Sequence, residues 1–365
     1  MIKKVLMVIP TNTAGGAERV LVQLADKFVE KNIEVMFVNF DSTSNFYSIN
    51  KKVKYIKLNL PFKAKKKLIK ILEAPYVEVK RYIKIRRIIR EFNPDIVIPF
   101  LEMAEILTIP NCVSLNIPFC VSIRNDYSKY FNYMKIFSKL FYKKASLVVC
   151  QTEEVKRSIT NIIKCNATVI PNPLDETTYC NEISTDKRNI IINVGRLTSQ
   201  KNQTLLIKAF SKVANEIDDI ELYIYGKGIL KNQLQLLIDE LGLSDKVFLK
   251  GTIINAIKEN NDAKLFVMSS DYEGFPNTLV EAMANGIPVI STDFNTGAAR
   301  ELLKYGECGW LTEVGDIDKL ALVIKEAILN EDIANKKAIN GLYVREMLDA
   351  NKIANEWLTK LKEVI

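Results

Sequence analysis

Short apolar runs alternate with longer stretches whose apolar residues recur at helical spacing, from one end of the chain to the other. Residues 5–9 read as a strand. Residues 18–31 follow as a helix, because Val20, Leu21, Leu24 and Phe28 share one face. Further strands are predicted at 35–40, 53–58, 95–100, 119–123, 147–150 and 168–170. Helical patterns fill most of the gaps, which implies a parallel sheet covered on both faces. Pro171-Asn172-Pro173 interrupts the series, and the polar stretch 175–188 reads as a linker. A second series has strands at 190–194, 222–225, 247–250, 265–268 and 288–291, with helices at 279–285 and 319–329. The expected fold is therefore α/β, two doubly wound parallel-sheet domains at 1–175 and 176–349. A last helix at 350–365 is expected to pack back on the first. Ligands of open α/β sheets bind beyond the carboxyl ends of the strands, so a cleft between the two domains is the expected site.

Composition narrows the chemistry. No histidine occurs in the 365 residues, which removes Ser-His-Asp and Cys-His nucleophiles, His zinc sites and imidazole bases. The six cysteines, at 112, 120, 150, 165, 180 and 308, form no C-x-x-C pair, so zinc and thioredoxin-like readings fail. Scattered thiols in a long chain fit a reducing compartment. Usage is 48% hydrophobic and 26% charged, which excludes disorder, collagen and coiled coil. The apolar run in MIKKVLMVIP is too short for a signal peptide. The longest uncharged run, 106–123, is broken by Pro110, Asn111, Asn116 and Pro118, so it is expected to be buried protein. A cytoplasmic location follows as the expectation.

Charge is uneven. The net charge is +8, yet residues 1–180 carry +13 and the remainder −5. Residues 51–90 alone hold 15 basic and 2 acidic residues, including Lys63, Lys65, Lys66, Lys67, Lys80, Arg81, Lys84, Arg86, Arg87 and Arg90. A solvated helix face explains such a stripe as well as a binding role does. Nucleic acid is disfavoured, because no recognition module accompanies the charge. Ile69, Ile71, Leu72, Tyr76, Val77, Val79 and Ile83 are interleaved with the cations, a pattern that suits an anionic membrane surface.

Several loops carry candidate chemistry. Gly15-Gly16 lies between the first strand and its helix, where a phosphate could approach the backbone or a tight turn could simply close. The full G-x-G-x-x-G fingerprint is absent. Gly195-Arg196 with Lys201-Asn202 occupies the same place in the second domain. A guanidinium fork and an ammonium there suit a diphosphate, with surface salt bridging as the bland reading. The segment Glu273-Gly274-Phe275-Pro276-Asn277-Thr278-Leu279-Val280-Glu281 leaves a strand and enters a helix. Thr278-x-x-Glu281 reads as a capping box. Glu273 has no such explanation, and the amides around Asn277–Leu279 are expected to be free for an anion. Asp316-Ile317-Asp318 has the D-x-D pattern of a metal site, but its place before a helix marks it as a cap.

Taken together, Gly15-Gly16-Ala17-Glu18-Arg19, Gly195-Arg196 with Lys201-Asn202, and Glu273-x7-Glu281 running on to Ala282-Met283-Ala284 resemble the family 4 retaining glycosyltransferases. The resemblance covers essentially the whole chain and implies the GT-B fold of two facing Rossmann-like domains. It implies that Arg196 and Lys201 hold the diphosphate of a nucleotide-sugar donor, most often UDP-linked. Glu273 would contact the sugar hydroxyls and Glu281 the ribose. Gly274, Phe275, Pro276, Asn277, Thr278 and Leu279 would cradle the phosphates, and Gly15 and Gly16 would line the acceptor side. No cofactor and no divalent metal are expected. Retention by front-face attack needs no protein nucleophile, so a chain without histidine can perform it.

One departure stands out. Many relatives place a histidine after the strand ending here at Ile123, whereas this chain reads Arg124-Asn125-Asp126. Arg124 is a candidate for steadying the leaving phosphate and Asp126 for orienting an acceptor hydroxyl, with a turn or cap at Asn125-Asp126 as the structural alternative. The expected activity is transfer of a hexose or N-acetylhexosamine to a lipid-linked or polysaccharide acceptor at the inner face of the cell membrane. Alternatives are a nucleotide-sugar enzyme of another outcome, epimerase-like, or a non-catalytic basic binding module.

Overall fold

The computed structural model describes residues 2–13, 15–40, 46–60 and 67–365, the side chains of residues 67–72 excepted. Two compact units result, Met1–Pro173 with Ala350–Ile365, and Leu174–Asp349.

In the first unit the order is β1 (Lys4–Ile9), α1 (Gly16–Glu30), β2 (Glu34–Asn39), β3 (Lys54–Lys57), α2 (Lys67–Phe92), β4 (Ile96–Pro99), α3 (Glu102–Leu115), β5 (Cys120–Ser122), α4 (Asn132–Phe141), β6 (Leu147–Cys150), α5 (Glu153–Ile162) and β7 (Ala167–Val169). Strands β3-β2-β1-β4 form one parallel sheet and β5-β6-β7 another. Parallel bridges between Val97 and Phe119 and between Phe100 and Ser122 join them edge to edge. Val5 to Ile9 are fully buried, as expected of a central strand covered on both faces. Right-handed crossovers place α1 on one face and α2 to α5 on the other. Packing of α2 on α3, and of α3 on α4, agrees.

The second unit runs β8 (Arg188–Val194), α6 (Gln203–Ala214), β9 (Glu221–Tyr225), α7 (Lys231–Glu240), β10 (Val247–Gly251), β11 (Ala263–Met268), α8 (Asn277–Ala284), β12 (Val289–Thr292), α9 (Ala298–Leu302), β13 (Trp310–Thr312), α10 (Ile317–Leu329), α11 (Glu331–Gly341) and α12 (Val344–Met347). Its sheet is all parallel in the order β10-β9-β8-β11-β12-β13. The order reverses between β8 and β11, which is the switch point where doubly wound sheets bind ligands. The chain then returns to the first unit as α13 (Ala350–Glu363), which packs on α1.

Sequence periodicity missed one strand, β13. Its three residues sit between Gly309 and Gly315, too short a run to show alternation, and only pairing with β12 reveals it. The apolar run 106–123 divides into the end of α3 and strand β5. Among the described residues no helix is long and apolar enough to cross a membrane.

Candidate active site

At the switch point of the second unit, the loops after β8 and β11 meet. Lys201 Nζ lies 2.5 Å from Glu273 Oε1, and both side chains are largely buried. Gln200 Nε2 donates to the Tyr272 carbonyl at 3.0 Å and to Glu273 Oε2 at 3.5 Å. Arg196, which is exposed, reaches Gln200 Oε1 through Nη2 at 3.4 Å. Asn202 fixes the corner between the loops. It adopts a left-handed φ of 42°, accepts from the Leu205 amide at 3.1 Å to cap α6, and donates to Asp271 at 2.7 Å. A short polar side chain tolerates that φ better than most residues. Thr296 Oγ1 holds the Glu273 carbonyl at 3.0 Å. The sequence-predicted Arg196, Lys201 and Glu273 therefore converge in one unit. They do not stand as cations facing a lone carboxylate: Glu273 is ion-paired.

Two glycines that sequence reasoning passed over make the corner possible. A Cβ on Gly226, whose φ is 146°, would lie 1.9 Å from the Gly195 carbonyl oxygen. One on Gly228 would lie 2.1 Å from that of Leu197. Gly226-Lys227-Gly228 thus lets the loop after β9 press against the Gly195–Leu197 backbone, where the Leu197 amide donates to Lys227 O at 3.0 Å. The signal was a G-x-G directly after a strand.

The second motif carboxylate corrects the sequence reading. Thr278 is already inside α8, and no side chain caps the helix at Pro276, so the Thr278–Glu281 capping box does not form. Glu281 is only 7% exposed, as is Glu273, and capping no longer explains its presence. The anion site expected from free amides is also smaller than supposed. The amides of Asn277 and Leu279 are bonded to Phe275 and Pro276 carbonyls at 3.0 Å each. Gly274 and Pro276 are buried, and Phe275, Asn277 and Thr278 half-buried. Asp316 does cap α10, its Oδ1 accepting from the Lys319 amide at 2.8 Å, and Asp318 pairs with Lys212.

In the first unit Gly15 opens α1 and Gly16 is its first residue. The room left by Gly15 is filled by Glu18, whose Oε2 would lie 2.0 Å from an added Cβ. Glu18 also accepts from Thr11 and Thr13 hydroxyls, at 2.9 and 3.2 Å. Its carboxylate folds back over the helix start, as an acidic third residue does in a capping box. This turn holds an anion of its own, contrary to the open phosphate seat the glycines suggested.

Beyond β5, the Arg124 guanidinium stacks 4.1 Å from the Phe100 ring centroid and 5.8 Å from that of Trp357 on α13. Its Nη1 donates to Asn172 Oδ1, which also accepts from Gln151 Nε2 at 2.6 Å. Nε and Nη2 are buried with no partner among the described residues. Burial pulls the Arg124 pKa down. Asn125 accepts from the Asp126 amide at 3.0 Å, and Asp126 Oδ1 caps the next turn through the Ser128 amide at 2.8 Å. Asp126 thus has a structural task on one oxygen, while Oδ2 is buried and unpartnered among the described residues. Nearby, Glu105 takes a 2.6 Å hydrogen bond from Tyr142, and burial pushes its pKa up to about 8. Phe100, Trp357, Asn172 and Gln151 carried no motif, and only the fold assembles them.

The description Glycosyltransferase Family 4 matches residues 14–178, and Glycosyl transferases group 1 matches 179–342. An uncharacterized glycosyltransferase of Methanocaldococcus jannaschii is 34% identical over 78% of this chain and 83% of its own length. The chain belongs to glycosyltransferase family 4. Among its other relatives, the glycosyltransferase is 27% identical to a Campylobacter jejuni enzyme over 99% of both chains. That enzyme is named GalNAc-α-(1→4)-GalNAc-α-(1→3)-diNAcBac-PP-undecaprenol α-1,4-N-acetyl-D-galactosaminyltransferase. Anabaena HepE, solved with UDP and glucose, superposes with a TM-score of 0.79 at 19% identity, covering 99% of this chain and 100% of HepE. Crystalline TarM superposes with a TM-score of 0.82 at 16% identity, covering 99% of each chain. These likenesses identify the fold as GT-B.

Proposed function

We propose that this glycosyltransferase moves a hexose or N-acetylhexosamine from a nucleotide-diphosphate sugar, UDP-linked, to a hydroxyl of a lipid-linked or polymer acceptor, with retention and without a metal. The observation that carries the reading is the Lys201–Glu273 pair, joined through Gln200 to Arg196 at the switch point of the second unit. A diphosphate arriving there competes with Glu273 for the Lys201 ammonium. Lys201 and Arg196 turn to the phosphates, and the released carboxylate accepts from sugar hydroxyls. Pairing keeps each charge satisfied until the donor exchanges it, so little reorganisation remains for the transition state. Charge developing on the departing diphosphate then falls on two cations already in place.

Retention is supported by the α-linkage in the Campylobacter relative's name, because an α-product from an α-linked nucleotide sugar keeps the anomeric configuration. The same name supports a lipid diphosphate carrying the acceptor saccharide. Arg124, with two unspent donor nitrogens above an aromatic floor, is suited to an acceptor or leaving phosphate. On this reading the enzyme works at the cytoplasmic face of a membrane, where a lipid-linked acceptor would meet a nucleotide-sugar donor. Thermal shift tests the donor half: saturating UDP at 100 times its Kd is expected to stabilise the protein by about 2.7 kcal/mol. NAD should give no shift, and Arg196→Ala should remove the UDP shift. An Arg196→Ala protein that still responds fully to UDP would overturn the assignment.

A further inference from the structure

The sequence placed membrane contact on the basic stripe of 51–90, and the structure redirects attention from it. Lys63, Lys65 and Lys66 lie outside the described residues, as do the side chains of Lys67, Ile69, Ile71 and Leu72. Of the remaining cations on α2, Arg81 is buried and Arg86 half-buried, while Lys80, Lys84, Arg87 and Arg90 are exposed. Arg81 donates to Glu78 and to the Leu60 carbonyl, at 2.9 and 2.7 Å. Lys84 donates to the Leu58 carbonyl at 3.1 Å, and Arg86 to Asn111 Oδ1 at 3.3 Å and to Ser114. Arg87 pairs with Glu91 at 2.6 Å. Arg81, Lys84 and Arg86 thus tie the helix to its own unit, and Arg87 is neutralised within the helix.

Helix α2 also exposes Tyr76, Val79 and Ile83, at 62%, 56% and 58%, but Glu73, Glu78 and Glu91 lie among its cations, whereas α4 carries no acid. On α4, Met134 and Ser138 are fully buried, and Tyr133, Ile136 and Leu140 lie on the outward side at 53%, 62% and 54% exposure. Phe131, just before the helix, is 66% exposed and stacks on Tyr133 at 5.7 Å between centroids. Four large apolar side chains thus stand in solvent within ten residues. Water alone offers no reason to keep them there. Along the segment itself the charge is cationic: residues 127–144 contain Lys129, Lys135, Lys139, Lys143 and Lys144 and no Asp or Glu, and Glu102 on α3 is the acid near Tyr133. Lys139, Lys143 and Lys144 are exposed and have no ion-pair partner among the described residues. A protein partner covering this face would need matching acid at several places. A bilayer needs only an apolar interior beneath anionic headgroups.

We propose that the outer face of α4 is the membrane-docking surface, with Phe131, Tyr133, Ile136 and Leu140 entering an anionic leaflet and the flanking lysines resting on its headgroups. The inference rests on the reading of a lipid-linked acceptor and gives it a route. The segment joining β5 to α4 is the one that carries Arg124, so the docking helix is continuous with the cation proposed for the acceptor side.

Sedimentation of the full chain with vesicles of equal phosphatidylglycerol and phosphatidylcholine tests this. The Ile136→Ser/Leu140→Ser double variant is expected to lose binding about tenfold or more, since both side chains are more than half exposed and little packing is lost with them. Lys139→Gln/Lys143→Gln/Lys144→Gln should lose a similar factor at low salt, and its remaining binding should be less salt-sensitive. A control, Tyr76→Ser/Ile83→Ser on the exposed side of α2, should bind like the parent. The UDP thermal shift should stay intact in all three variants, which separates a failure of docking from a failure of the donor assignment. Unchanged vesicle binding by the α4 variants would overturn the proposal, as would equal binding to pure phosphatidylcholine. So would light scattering that shows a dimer dissociated by Ile136→Ser/Leu140→Ser, because a second copy would then cover the face.

Discussion

Lys201 and Glu273 are held in a largely buried ion pair at the place in the second sheet where strand order reverses. Removing either partner strands the other in a largely buried site. The two losses nevertheless differ in kind. Lys201 faces the diphosphate in the proposed mechanism, so Lys201→Ala should weaken donor binding and chemistry together, lowering kcat/KM by about 10²- to 10³-fold. Glu273→Gln keeps the shape and gives up the charge. It should leave UDP affinity within about threefold of the parent, because UDP lacks the sugar, while kcat falls at least about tenfold. Isothermal titration with UDP beside steady-state kinetics with the donor distinguishes them. Equal loss of UDP affinity in both variants would remove Glu273 from the sugar. The motif gave these residue types, but their pairing was hidden in it, because a linear sequence does not show that two loops 72 positions apart share one corner.

At the scale of elements, helix starts were only partly legible. Asp316 looked like a cap and is one, since an Asp ahead of an apolar-periodic run has few other places to go. Thr278 looked like a cap and is not, because α8 begins one residue before it. The turn Phe275-Pro276 tightens the entry and moves the boundary, which residue spacing alone cannot reveal. Stability measurements should follow the structure. Asp316→Ala is expected to cost about 1 kcal/mol in urea denaturation, with turnover unchanged, whereas Thr278→Ala should cost less than about 0.5 kcal/mol. A cost at Thr278 equal to that at Asp316 would restore the capping box. Buried strands were legible wherever an apolar run was long enough to exceed its flanks. The three-residue β13 was not, because its existence depends on the edge that β12 offers.

At the scale of the molecule, the alternation of strands and helices foretold two doubly wound units, and the family and the solved relatives agree with it. Less visible was the work of the returning helix. Trp357 on α13 is fully buried, 6.3 Å between centroids from Phe100, and its ring and that of Phe100 both lie beside the Arg124 guanidinium. The last helix therefore completes the first unit and holds a cation of the proposed acceptor side. The residues proposed to hold the donor, by contrast, all belong to the second unit. Two perturbations should then act on different parts of a calorimetric melt. Trp357→Ala removes a large core side chain from the first unit, at a cost of about 3–5 kcal/mol. UDP stabilises the unit that binds it. If the units unfold in separate steps, Trp357→Ala lowers one transition and UDP raises the other, with the UDP shift undiminished in the variant. The sign of each shift follows from where its residues lie, independently of any activity assay. Should UDP instead raise the transition that Trp357→Ala lowers, and leave the other unmoved, the nucleotide sits in the first unit and the switch-point corner at Lys201 is not its seat.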